Sequence, residues 1–115
     1  MGLLEDKIKA EKLNEIELNY NSVKKFMLIG SKSYNISQEN IVDIIGLIAL
    51  NEGSNLGVKE NDELTLVFHT VAELKSLLDS IRLYLTDIKI KRFDKRKELN
   101  NITDHELIVN FNTTI

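Results

Sequence analysis

The sequence contains no cysteine and no proline, and only five glycines and two histidines in 115 residues. Without cysteine there is no disulfide, no thiolate zinc site and no cysteine nucleophile, which fits a reducing compartment. Without proline no segment is interrupted by a residue lacking an amide N–H, so long helices are permitted. The two histidines, His69 and His105, are far apart and neither forms an i, i+4 pair on a carboxylate-rich face, so no metal site is expected. The 15 basic residues are slightly outnumbered by 18 acidic ones. The net charge of −3 argues against a general nucleic-acid binder, which shows a basic excess. No apolar run reaches the roughly 20 residues that a membrane-spanning helix needs. The start, Met1-Gly2-Leu3-Leu4-Glu5-Asp6, has no basic n-region or apolar h-region, and no secretory leader is expected there.

What is present is ordinary for a folded domain. Hydrophobic residues at 43% and charged residues at 29% are enough to bury a core without covalent or metal staples. Leu13, Ile16, Tyr20, Val23 and Met27 recur in steps of three and four, predicting a first helix over about 4–25. Phe26-Met27-Leu28-Ile29 then runs into Gly30-Ser31-Lys32-Ser33 and Tyr34-Asn35-Ile36. This reads as a hairpin over about 26–36, with a plain loop as its rival.

Ser37 has the position of an N-cap, flanked by Ile36 and Ile41 at the two ends of a hydrophobic staple. The helix it opens, about 38–51, is apolar on most sides and is expected to be buried all round, with Gly53 as its left-handed C-cap. Ser54 to Glu63 reads as a polar loop. Leu64 to Phe68 is strand-like, and whether it joins 26–36 in a three-stranded element is left open. Thr70 with Glu73 forms a capping-box signature at the head of the longest helix, about 70–99. The fold class is therefore mainly α: three helices (about 4–25, 38–51 and 70–99) with a small β-hairpin or three-stranded element (about 26–36 and 64–68). Residues 1–101 are expected to form one helical domain, and 102–115 a C-terminal segment suited to a partner contact.

Candidate chemistry is sparse. His69 beside a helix start reads first as a structural residue bonding backbone, and no Ser/His/Asp arrangement is visible. Glu60, Asp62 and Glu63 lack the alternating order of a calcium loop. Lys89, Lys91, Arg92, Lys95, Arg96 and Lys97 form one basic stretch, explained by the dipole at a helix C-terminus. Beyond Leu85 the register of the last helix turns polar at Arg92 and Lys95 before Leu99. Ile88, Phe93, Leu99, Ile102, Leu107, Ile108, Val109 and Phe111 are accordingly expected to present an interface. The alternative is a terminal segment that folds back over this helix. That segment is itself either a short helix opened by Thr103-x-x-Glu106 or a strand over Leu107–Phe111. The heptad-like register from Val71 to Ile102 also permits a homo-oligomer through this helix.

Glu15-Ile16, Phe26 to Ile29, Tyr34, Gln38-Glu39-Asn40, His69-Thr70 and the helix from Val71 to about Leu99, in that order, resemble a phage-encoded domain of uncharacterised function. That domain occurs in tail and tail-fibre proteins of tailed bacteriophages and phage-tail-like particles. The likeness spans roughly 13–101. It departs from the family pattern at Glu73-Leu74, where a glutamine often follows, and in Asn55-Leu56-Gly57-Val58-Lys59, where an aromatic, Gly-rich loop is usual. The resemblance implies a structural or adaptor component of a tail, at the baseplate or fibre end, binding other tail, baseplate or fibre proteins. It brings no catalytic residue, metal or cofactor, and no membrane span. The residues it carries over here are Tyr34 and Gln38 around the second helix and His69 and Thr70 at the third; with Asn40 of the Gln-x-Asn motif and the capping residues Ser37 and Glu73 they make up the structural signature. The implied location is the virion tail or tail-like particle, and the bacterial host cytoplasm before assembly. A transient tail-fibre assembly chaperone is the alternative, and a small DNA-binding regulator a more distant one.

Overall fold

A computed structural model describes residues 2–115. The elements in chain order are α1 (Leu3–Val23), β1 (Phe26–Ile29), β2 (Lys32–Asn35), α2 (Gln38–Ala49), β3 (Ser54–Glu60), β4 (Glu63–His69), α3 (Val71–Asn101) and α4 (His105–Val109). Helix occupies 61% of the described residues, so the architecture is mainly helical as expected. The counts differ: the described residues form four helices and one four-stranded antiparallel sheet, where three helices and at most three strands were expected. No helix among the described residues is long and apolar enough to cross a membrane.

The chain forms two compact units. One is Lys24–Leu85; the other joins the described residues up to Val23 with Thr86–Ile115. The terminal segment packs on α1 and belongs to the second unit.

In the unit Lys24–Leu85 the strands lie in the order β1-β2-β3-β4, each antiparallel to its neighbour. The missing strand was β3. Its sequence, Ser-Asn-Leu-Gly-Val-Lys-Glu, has only Leu56 and Val58 as apolar residues, so it reads as a loop. The turn that makes it a strand is Asn61-Asp62, both in the left-handed region (φ 52 and 63). A two-residue hairpin turn with positive φ at both positions matches strand twist, and Asn and Asp tolerate that conformation better than other non-glycine residues. The β1–β2 turn uses Gly30, at φ 62, for the same reason.

Register decides which side chains share a face. Met27, Tyr34 and Val58 are directly cross-paired and all buried. They join Ile36, Ile44, Leu74, Leu77, Leu78 and Ile81 in one core cluster. The helix α2 is not buried all round, contrary to the expectation. Only Ile44 is buried, with Ile41, Leu47 and Ile48 partly so, while Val42 and Ile45 face outward. A helix lying on one side of a core covers a single stripe, whatever the composition of its far side.

The ends of α2 show one hit and one correction. Ser37 Oγ accepts from the Asn40 N–H (3.4 Å), as an N-cap should. Gly53 is not the left-handed cap. Asn51 takes that role (φ 56), with its own N–H donating to Ile48 O and the Glu52 N–H to Leu47 O, each at 3.0 Å. This is the Schellman arrangement. Gly53 serves another need: a Cβ there would lie 2.7 Å from both His69 O and the Phe68 ring.

Thr70 and Glu73 form the expected capping box at α3. The Glu73 N–H donates to Thr70 Oγ1 (3.2 Å) and the Thr70 N–H to Glu73 Oε1 (3.1 Å). These bonds, the backbone one foremost, hold the Glu73 carboxyl below its ordinary value. A carboxylate with a depressed folded value adds stability above the ordinary range and loses it as pH falls through the folded value. Thr70→Ala is expected to cost about 1 kcal/mol in urea unfolding at neutral pH. That penalty should shrink in acid, and an undiminished penalty at low pH would separate the cap from Glu73.

In the other unit, Ile16 of α1, Ile88 and Leu99 of α3, and Ile108 of α4 are all buried. The terminal segment resolves as a helix, not a strand. Its cap is Asp104, whose Oδ1 accepts from the Leu107 N–H (3.1 Å), one position later than the Thr103 expected.

Candidate protein-binding face

Three regions compete as a functional site. The first is the signature pair Tyr34 and His69. Their rings meet edge to face at 5.7 Å, and Tyr34 Oη lies 3.1 Å from His69 Nε2. His69 Nδ1 is 2.8 Å from Val67 O, a group that only accepts, so Nδ1 carries the proton. In the neutral ring Nε2 is then the acceptor for the Tyr34 hydroxyl. Burial, and secondarily the Glu73 charge, pushes the Tyr34 phenol above its ordinary value. Both imidazole nitrogens are thus engaged within the fold. The pair ties β2 to the β4–α3 joint, which is the structural role expected for His69. Among the described residues no group of three His, Asp or Glu side chains is placed to hold a metal.

The second region is the basic stretch of α3. Arg92 meets Glu17 through two bonds of 3.0 Å, stacks 4.6 Å over Tyr20, and is held above its ordinary value chiefly by the Glu17 hydrogen bond. Arg96 shares Glu17 at 3.3 Å, Lys91 pairs with Asp87 at 3.0 Å, and Lys95 donates to Asn112 O at 2.8 Å. Four of the six cations therefore hold the protein's own helices and tail. Lys89 and Lys97 flank exposed Phe93 in an open groove of about 690 Å³. Arg92 and Arg96 line the same groove and share the single carboxylate of Glu17; in a chain of net charge −3 this lone cluster falls short of the basic excess of a general nucleic-acid binder.

The expected C-terminal interface is largely dismantled. Ile88, Leu99 and Ile108 are interior, and Ile102 and Phe111 half-buried, while Phe93, Leu107 and Val109 remain exposed. The segment folds back as the alternative reading had it. Asn19 Nδ2 donates to Thr113 O (2.9 Å), Thr113 Oγ1 donates to Glu15 Oε2 (3.2 Å), and Lys9 Nζ donates to Asn100 O (3.3 Å). The polar turn at Arg92 and Lys95 does not mark free surface. It marks where α3 meets Glu17, Tyr20 and the tail.

The third region was not singled out in the sequence. Cross-pairing puts Leu28, Ser33, Lys59 and Leu64 in one row of the sheet, with Phe26 beside Asn35, Gly57 beside Leu66 and Asn55 beside Phe68. This is the face opposite Met27, Tyr34 and Val58. On it Phe26, Leu28, Leu64, Leu66 and Phe68 are between 51% and 75% exposed. Together they present apolar surface on the order of 600 Å², about the size of the largest patch on a typical monomer, which is often functional. They form two ridges on the edge strands β1 and β4, flanking a floor of small and polar residues. The signal was the run Leu64-Thr65-Leu66-Val67-Phe68: Val67 faces the core, so the bulky residues alternating with it must face away.

No protein-family model, no curated protein and no solved structure matches this chain.

Proposed function

We propose that this chain is a structural or adaptor component of a bacteriophage tail or phage-tail-like particle, at the baseplate or fibre end, and that it works by binding protein and not by catalysis. The observation that carries the binding role is the bare apolar face of the β1–β4 sheet. The tail context rests on the ordered resemblance from Glu15-Ile16 through Tyr34 and Gln38 to His69-Thr70. The binding surface is thus moved from the C-terminal helix to the sheet.

The test is mass spectrometry of purified particles made with the parent chain and with Leu66→Lys. The parent should be found in the particle, and the variant, folded by circular dichroism, should be depleted at least tenfold. A chain bound to fibre subunits in lysate but missing from finished particles would make it an assembly chaperone. Absence from both would overturn the tail reading.

A further inference from the structure

We propose that the outer face of the sheet is covered in solution by a second copy of this chain, the two sheets stacking face to face about a two-fold axis. This rests on reading that face as the binding surface and names its occupant.

Area is the first argument. With the small and polar residues between the ridges, each copy offers about 800 Å², the share of one partner in an interface of standard size. An occupant as narrow as one extended peptide strand would leave one or both ridges in water, because β1 and β4 lie three strand spacings apart, about 14 Å.

Shape is the second. Leu66 is the most exposed of the five apolar side chains, and its direct cross-strand partner is Gly57. A Cβ at Gly57 would meet only Leu64 Cδ1, at 3.5 Å, so the space above it is open. A two-fold interface needs one patch to carry both the projection and the hollow that receives it. Leu66 and Gly57 supply that pair side by side. Facing sheets sit about 10 Å apart, which lets such projections interdigitate.

Charge is the third. By register Lys59 is the one charged side chain on this face. Seating Leu66 over the partner's Gly57 requires an axis parallel to the strands between β3 and β4, which sets Lys59 over the partner's Leu64, its own cross-strand neighbour; there its aliphatic stem can pack on the leucine while the ammonium reaches the rim beside the β3–β4 turn.

Light scattering coupled to size exclusion, run on the full chain across a concentration series, tests this. The parent should approach twice 13.2 kDa. Leu66→Lys, which places a charge on the projection, and Gly57→Thr, which fills the hollow with a good strand former, should each raise the dissociation constant at least tenfold. Both variants should keep the parent's circular dichroism. A parent that stays at 13.2 kDa throughout, or a dimer that survives both substitutions, would overturn the proposal. A monomeric parent whose Leu66→Lys variant is still lost from particles would remove the second copy and leave the face as the binding surface. A monomeric parent whose variant enters particles normally would remove both.

Discussion

Ile108→Ala is expected to destabilise the unit built from α1, the C-terminal part of α3 and α4 by about 2–5 kcal/mol. Ile108 is fully buried, on a helix of only five residues that cannot stand alone. Its side chain, with Ile16 and Leu99, is the apolar reason for the terminal segment to return to α1. Deleting 104–115 should cost more, since Thr113 also holds Asn19 and Asn112 O receives Lys95. Hydrogen exchange at the α1 amides is the measurement. Protection in α1 should fall sharply in both variants, and unchanged protection would mean that α1 is held by something other than this packing. Leu107→Ala is the control. Leu107 is exposed, and its loss should change stability by no more than about 0.5 kcal/mol.

Leu74→Ala should have a comparable effect, about 2–5 kcal/mol, on the unit Lys24–Leu85. Leu74 is fully buried one position after the capping-box Glu73, and it packs in the cluster that includes Met27, Tyr34, Ile44 and Val58. Truncation leaves a cavity between the sheet and the helices, and a core that is close-packed relaxes only partly into it. Chemical denaturation followed by tyrosine fluorescence reports it, because Tyr34 lies in the same cluster. A loss under 1 kcal/mol would mean that the site collapses freely and that the packing is looser than described. Leu83→Ala, on the exposed side of the same helix, should be nearly silent.

Local rules were legible wherever one residue type answers one backbone need. Thr70 and Glu73 cap α3, Ser37 caps α2, and Gly30 turns the first hairpin, each as its sequence setting requires. The rules failed where two residues can meet one need. Asn51 took the left-handed position expected of Gly53, freeing Gly53 for a close approach to His69 and Phe68. Asp104 took the cap expected of Thr103. The strand β3 was hidden because Asn-Asp is a weaker turn signal than Asn-Gly, and because Gly57 and the polar residues around it look like loop.

The candidate site shows a deeper limit. An apolar residue in a sequence states that it prefers to leave water, and not what will cover it. Ile88, Leu99 and Ile108 looked like an interface and are interior; Val42 and Ile45 looked like core and are exposed. Each of these follows from which neighbour the chain brings across.

The sequence alone determined the long helices, the N-terminal caps of α2 and α3 and the first hairpin, because these depend on contacts between residues a few positions apart. It also determined the absence of cysteine chemistry. Tertiary structure decided the rest: a fourth strand completing the sheet, the return of 102–115 onto α1, and the closure of His69 by Tyr34 and Val67. It also turned Leu64, Leu66 and Phe68 outward with Phe26 and Leu28. Those depend on strand register and on which face finds a partner, and both are fixed by residues distant in the chain.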